Sequence, residues 1–199
     1  MNEFPVMEYF HSIQGEGVYA GYACFFIRLG GCDVGCVWCD VKESWNADNH
    51  PKLSIDFLIS EASKNPSKIL IVTGGEPAMY DLTTLTQKFK EIGYRVHIET
   101  SGVYPLIGHF DWVTFSPKKF KTPLKEVAES ADELKIIVFN KSDFQWAESH
   151  QKEVSSSCKL FLQPEWEKRA VMEKQVFDYI LKHPVWRISL QTHKFLGVD

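Results

Sequence analysis

The sequence predicts an α/β fold in which parallel strands alternate with crossover helices and curl into an incomplete barrel. Three observations lead there. Short apolar or β-branched runs recur along the chain, with helical patterns between several of them. At 199 residues the chain falls short of the roughly 250 that a closed eight-fold barrel takes. Most of the runs end in polar clusters, as strands do when their C-terminal ends share one functional face.

The elements follow in order. Residues 5–17 precede the repeat and add a strand and a turn. The first core strand covers residues 24–29. Ser54 then caps a helix carrying Phe57, Leu58 and Glu61, because a serine hydroxyl at that position accepts an orphan backbone amide. A strand over 68–73 comes next. Leu82, Leu85, Phe89 and Ile92 form an apolar stripe ended by Gly93, a residue suited to the left-handed turn after a helix. Strands over 95–100 and 112–116 precede a weaker stripe of Leu124, Val127, Ala128 and Ala131. Strands over 134–138 and 160–163 lead to a helix over 169–182, which places Val176 over Ile180 and Phe177 over Leu181, with Pro184 beyond its end. A strand over 186–191 closes the series. Six or seven parallel strands in this length suit a splayed, TIM-like partial barrel better than a closed one; a doubly wound open sheet is the alternative.

Composition narrows the function. Apolar residues make up 44% and charged residues 24%, the profile of a soluble globular protein. Charge and apolar residues are spread evenly without repeats, so residues 1–199 read as a single domain. No apolar run is long enough to span a bilayer and the start lacks a signal-peptide pattern, which implies a cytoplasmic protein with no membrane partner. A net charge of −4 argues against nucleic acid as a partner, since phosphate binding leaves a basic footprint. Of five cysteines, three fall in one eight-residue stretch, an arrangement that favours metal ligation over disulfides.

Five strand ends carry polar clusters that parallel strands bring to one face. Thr73 runs into Gly74, Gly75, Glu76 and Pro77. Glu99, Thr100, Ser101 and Gly102 form the second; Ser116, Pro117 and Lys118 the third. Gln163, Pro164 and Glu165 follow, then Gln191, Thr192, His193 and Lys194. One such cluster is ordinary loop composition; five converging ones indicate a site.

The cysteines of the run Cys32, Cys36 and Cys39 have the spacing CxxxCxxC, directly after the first core strand. A cubane iron–sulfur cluster held by three thiolates keeps one iron free of protein ligands. S-adenosylmethionine can chelate that iron through its amino and carboxylate groups, and its reductive cleavage gives a 5′-deoxyadenosyl radical that no side chain could supply. A structural zinc site would want four protein ligands, and a ferredoxin a fourth cysteine. Cys24, inside a strand, and Cys158, just before one, read as buried thiols.

CxxxCxxC followed by Gly74-Gly75-Glu76-Pro77 resembles the radical S-adenosylmethionine superfamily. More narrowly, the chain resembles the 7-carboxy-7-deazaguanine synthase family. The match is carried by Ile13-Gln14-Gly15-Glu16-Gly17, Phe26-Ile27-Arg28-Leu29, Cys39-Asp40, Trp45, Thr73-Gly-Gly-Glu-Pro77, Glu99-Thr-Ser-Gly102, Ser116-Pro-Lys118, Gln163-Pro164 and Gln191-Thr-His-Lys194. The resemblance implies a radical SAM core and a lyase that ring-contracts 6-carboxy-5,6,7,8-tetrahydropterin to 7-carboxy-7-deazaguanine with loss of ammonia, toward queuosine. It implies a [4Fe-4S] cluster on Cys32, Cys36 and Cys39 and S-adenosylmethionine held by Trp38, Cys39, Asp40, Gly75, Ser116, Pro117, Lys118, Gln163, Pro164 and Glu165. Ile13, Gln14, Gly15, Arg28 and Thr73 would bind the pterin, with the guanidinium of Arg28 forking onto its carboxylate. It implies further an electron donor such as flavodoxin or ferredoxin, and a homodimer. Glu76 and Glu99 are expected near the site, and His193 in a structural or substrate-contact role. A glycyl-radical activating enzyme shares the superfamily motif, but it needs no small-molecule carboxylate site, against which Arg28 and the Gln14 loop argue.

The resemblance departs at one position. Family members carry a hydroxyl residue two places after the third cysteine, where it helps hold Mg²⁺; here that residue is Val41, with no atom to offer a cation that demands oxygen. The expectation is weak or absent magnesium dependence, with Arg28, residues 13–15 and a lysine such as Lys42 or Lys194 holding the substrate instead.

Overall fold

The computed structural model describes residues 2–198. β1 (Glu3–Ile13) and β2 (Ala23–Leu29) form an antiparallel hairpin, and β3 (Lys52–Ser54) pairs antiparallel with the start of β1. From β2 onward every pairing is parallel, through β4 (Ile69–Gly74), β5 (Arg95–Thr100), β6 (Trp112–Phe115), β7 (Glu133–Val138), β8 (Lys159–Pro164) and β9 (Trp186–Ile188). The nine strands lie in the order β3-β1-β2-β4-β5-β6-β7-β8-β9. Chain order is kept from β2 to β9, so the sheet winds in one direction only. A doubly wound sheet would reverse at a switch point, and that alternative is excluded. β3 and β9 are the two edges, so the barrel stays open.

The strands alternate between two environments, and this positions the site. Ile27, Leu29, Leu70, Val72, Val96 and Ile98 face outward and pack against Leu58 of α1 (Ile55–Ala62) and Leu85 and Phe89 of α2 (Thr83–Glu91). Farther along, Leu134, Ile136, Val138 and Leu162 meet Val127 and Ala128 of α3 (Lys125–Glu129), Ala147 of α4 (Ser142–Gln151), and Met172 and Val176 of α5 (Arg169–Lys182). Each of these aliphatic side chains contributes about 1.5–3 kcal/mol by leaving water. The opposite, inner face is apolar chiefly at its base, where Cys24, Phe26 and Ile71 cluster and Phe10 stacks on Phe26. Higher up it carries Arg28, Thr73, Glu99, Lys135 and Gln163.

The local signals act as the sequence predicts. The Ser54 hydroxyl accepts from the Phe57 amide at 3.2 Å, and Gly93 follows α2 at φ 83°. Four expectations are corrected. The helix carrying Val127 and Ala128 spans only residues 125–129, and the last strand stops at Ile188. The run at 112–116 ends as a strand at Phe115. In α5 Val176 is buried and Ile180 packs on the core, but Phe177 and Leu181, one residue further round the helix, are 56% and 68% exposed. Short α4 and α6 (Thr192–Leu196) were not legible: α4 mixes aromatic and polar residues without a clean stripe, and α6 buries nothing. No helix among the described residues is long and apolar enough to cross a membrane.

Candidate functional site

At the C-terminal ends of the parallel strands lies a cavity of about 270 Å³. Of the residues assigned to the cluster, the cosubstrate and the pterin by the family resemblance, all but one border it: Ile13, Gln14, Gly15, Arg28, Thr73, the three cysteines, Trp38, Asp40, Gly75, Ser116, Lys118, Gln163, Pro164 and Glu165. Pro117 is buried beside it without reaching the wall. Glu76, Glu99, His193 and Val41 also border it; Lys42 and Lys194 do not.

The cysteine loop is fixed to the sheet by backbone. The Gly31 amide donates to the Ser44 carbonyl at 2.6 Å and that of Cys32 to the Trp45 carbonyl at 3.1 Å. The Glu76 amide returns to the Gly31 carbonyl at 2.8 Å. Gly75 has no alternative here: a Cβ on it would fall 2.3 Å from the Gly31 carbonyl oxygen and 2.7 Å from Cys32 Cβ. Cys32, Cys36 and Cys39 pack around Val34, Val103 and Tyr104, and Asp33 ties the loop down by accepting from the Tyr104 hydroxyl and Lys121, each at 2.6 Å. Burial, and then the Glu76 charge, push the Cys32 thiol up; burial and the neighbouring cysteines push that of Cys36 up to about 11, with Lys118 opposing. Among the described residues no three His, Cys, Asp or Glu side chains are arranged to hold a metal ion together. Three cysteines packed together on one loop suit a cubane, which takes one thiolate on each of three irons and leaves the fourth free of protein ligands. Cys24 and Cys158 lie apart and buried, each thiol raised by burial to about 12.

Glu76, expected near the site, is 1% exposed and fully engaged. It accepts from the Ala78 and Ser101 amides and from the hydroxyls of Thr100 (2.6 Å) and Ser101. Its work is to bind the Gly74–Pro77 turn to the end of β5.

The cavity floor is a charged network that sequence reasoning did not assemble. Lys135, in the middle of β7 and 4% exposed at its side chain, pairs with Glu16 and, at 3.3 Å, with Glu99. Glu16 also accepts from the amides of Gln163 (3.0 Å) and Gln191 (2.9 Å), while Gln14 donates to Glu99 at 2.8 Å. Burial opposes ionisation of Glu16, but the Lys135 charge and these donors outweigh it and hold the carboxyl at about 2. The same carboxylates keep Lys135 charged despite its burial. The signal was present: Leu134, Ile136 and Val138 alternate, so Lys135 had to face inward.

Above the floor, Arg28 and Thr73 are register partners on adjacent strands, and Arg28 Nε donates to Glu8 of β1. The Lys118 ammonium donates to the carbonyl and hydroxyl of Ser116, both at 2.6 Å, and lies 5.8 Å above the Trp38 ring; burial lowers its pKa. The C-terminal end closes the remaining side. Thr192 donates through its amide (3.0 Å) and hydroxyl (2.9 Å) to the Gly15 carbonyl. His193 covers Gly15 so closely that a Cβ there would lie 1.9 Å from Nδ1, and Lys194 pairs with Asp40 at 2.6 Å. Val41 offers the cavity no side-chain oxygen. The nearest hydroxyl on that turn, Ser44, donates to the Val41 carbonyl at 2.7 Å.

Comparison with known proteins agrees with this arrangement. Residues 26–138 match the Radical SAM superfamily. A 7-carboxy-7-deazaguanine synthase of Flavobacterium psychrophilum is 52% identical over 98% of this chain and 92% of its own length. One from Synechocystis is 50% identical over 98% and 93%. The crystal structure of QueE from Escherichia coli superposes with a TM-score of 0.85 at 28% identity, covering 94% of this chain and 93% of that one.

Proposed function

Since this chain belongs to the 7-carboxy-7-deazaguanine synthase family and is a radical SAM enzyme of queuosine biosynthesis, we propose that its cavity converts 6-carboxy-5,6,7,8-tetrahydropterin to 7-carboxy-7-deazaguanine with loss of ammonia. The observation that carries this reading is the meeting of three cysteine thiols with Arg28, Thr73 and Gln14 around one cavity. Cys32, Cys36 and Cys39 would hold a [4Fe-4S] cluster. When bound, that cluster and S-adenosylmethionine supply the one-electron chemistry that starts the reaction.

The chain's own residues do the rest by binding and orientation. Arg28, steadied by Glu8 through Nε alone, presents the remaining guanidinium edge to the substrate carboxylate. Ile13, Gln14 and Gly15 border the cavity, with His193 against Gly15, and would line one face of a planar heterocycle, with Thr73 beside Arg28. Gly75, Trp38, Cys39 and Asp40 border the cosubstrate side, with Ser116, Lys118, Gln163, Pro164 and Glu165 at the later strand ends; Pro117 shapes that wall from behind. Position 41 itself gives Mg²⁺ no ligand, since the Val41 side chain has no oxygen; the nearby Ser44 hydroxyl gives its hydrogen to the Val41 carbonyl. The reading carries with it an electron donor such as a flavodoxin or ferredoxin, and homodimeric assembly in the cytoplasm.

The test is anaerobic reconstitution followed by mass spectrometry of the products from 6-carboxytetrahydropterin. Formation of 7-carboxy-7-deazaguanine is expected. Its loss, together with loss of cluster absorbance, is expected in Cys32→Ala, Cys36→Ala and Cys39→Ala but not in Cys158→Ala. Cosubstrate cleavage without the deazapurine product would overturn the substrate assignment.

A further inference from the structure

Beneath the substrate cavity, on the same inner face of the sheet, lies a second and much smaller hollow. Gln14, Glu16 and Glu99 border both. Its volume, about 10 Å³, is close to what a single water needs. Two residues that line it, His97 and Trp112, each bury a ring nitrogen, Nε2 and Nε1, without a hydrogen-bond partner, and His97 is 3% exposed. Native proteins rarely leave such atoms orphaned. The indole N–H can only donate. The imidazole, held neutral by burial with its pKa down at about 4, has one ring nitrogen free to accept. A water that accepts from the first and donates to the second satisfies both and keeps a hydrogen and a lone pair for a third group.

That third group is Glu133, at the start of β7 and 3% exposed. Its Oε2 accepts from the Val18 amide at 2.9 Å, and its Oε1 lies against Gly17, where a Cβ would come within 2.0 Å. Glu133 faces Lys135 on its own strand, Glu16 from the loop after β1, His97 and Glu99 from β5, and the Cys158 thiol ahead of β8.

We propose that this hollow holds one water molecule, and that the water passes a proton between Glu133 and Glu99, making Glu133 the proton store of the substrate cavity. The inference rests on the reaction proposed above, in which a substrate nitrogen departs as ammonia. The transfer balances. The Glu133 carboxylic acid gives its proton to the water as the water gives one to the Glu99 carboxylate, and nothing is oxidised or reduced. Glu99 then protonates the departing nitrogen, the C–N electron pair leaves with it as ammonia, and Glu99 is again a carboxylate. The ring, having lost a nitrogen, releases one proton as it becomes aromatic, and that proton returns through Glu99 and the water to Glu133, which closes the count. Burial, opposed by Lys135, pushes the Glu133 carboxyl up to about 7, so it holds a proton at neutral pH and can still release it. Glu133 touches no substrate; it is a positioning residue that acts through Glu99.

Infrared spectra of the reconstituted protein, recorded across neutral pH without substrate, test the store itself. A buried carboxylic acid band with a midpoint near 7 is expected in the native protein and is expected to vanish in Glu133→Gln, whose amide oxygen still accepts from Val18. Turnover tests its use: native kcat/KM falls as pH rises through about 7, whereas Glu133→Gln loses that dependence and runs about 100-fold slower. Trp112→Phe, which removes the water's donor but leaves Glu133 in place, is expected to shift the band and reduce the solvent deuterium isotope effect. No band titrating near 7, a band that persists in Glu133→Gln, or a Trp112→Phe protein with the native band and isotope effect would each overturn the proposal. Should Glu133→Gln fail to fold, the Trp112→Phe comparison decides. A different product from the pterin would refute the proposed reaction while leaving the infrared result standing.

Discussion

Single side chains in the cavity are held by partners that make their chemistry specific. Arg28 is anchored through Nε, so only a planar fork in that orientation presents two parallel donors to a carboxylate. Arg28→Lys keeps the charge and loses the fork, and substrate binding is expected to weaken by roughly 1–3 kcal/mol while cosubstrate binding holds. Isothermal titration of each ligand separates the two, and an unaltered substrate Kd would remove Arg28 from the site. Val41 poses the opposite case, a cavity residue lacking the group its position is used for. Native turnover is expected to respond weakly or not at all to Mg²⁺, and Val41→Thr to gain a response as the hydroxyl supplies an oxygen ligand. Initial rates against Mg²⁺ with chelator controls measure it. Native activity that collapses on chelation and recovers only with Mg²⁺ would show that oxygen from elsewhere suffices.

At the level of elements, much of the architecture could be read in the chain because the core strands are short apolar runs and helices α1 and α2 are marked by a serine cap and a closing glycine. Ser54, Gly93 and the stripe of Leu85 and Phe89 are local signals and act locally. The floor of the site was harder. Glu16, Gln163, Ser189 and Gln191 meet only in three dimensions, across separations that no pattern reports. α6 illustrates the same limit, since five residues with no buried side chain carry no periodic signal. Yet this helix and the residue before it fasten the Gly15 and Glu16 segment. Ending the chain after Leu190 removes the bonds from Gln191 to Glu16 and from Thr192 to Gly15 but exposes little core. The truncated protein is expected to keep its far-ultraviolet spectrum and its iron content while losing about 2 kcal/mol of substrate affinity, roughly 30-fold. A native KM would dismiss α6 as a fastening.

For the whole molecule, the buried titratable groups set how stability varies with acidity. His97, near 4 in the fold against 6.5 unfolded, contributes fully above 6.5 and loses that contribution as pH falls toward 4. Glu16, near 2 against 4.5, contributes fully above 4.5 and is lost as pH falls toward 2. Glu133, near 7 against 4.5, runs the other way: its contribution is complete below 4.5 and lost as pH rises to 7. Between about 4.5 and 6.5 the His97 gain and the Glu133 loss oppose each other. Native denaturant midpoints are therefore expected to be nearly level over that interval, to rise with pH in Glu133→Gln, and to fall with pH in His97→Asn. Surface carboxylates weigh equally on all three proteins, so slopes of the same sign in both variants would refute the assignment. The fastening of the Gly15 loop has a consequence of another kind, in the order of synthesis. The segment proposed to bind the pterin is made well before the groups that hold it in shape. A chain growing from its N-terminus can lay down β1, β2 and the cysteine loop early, but it has no finished pocket until Ser189, Gln191 and Thr192 have emerged. On the proposed function, a chain stalled short of these residues is expected to bind iron and sulfur at its cysteine loop but not the pterin.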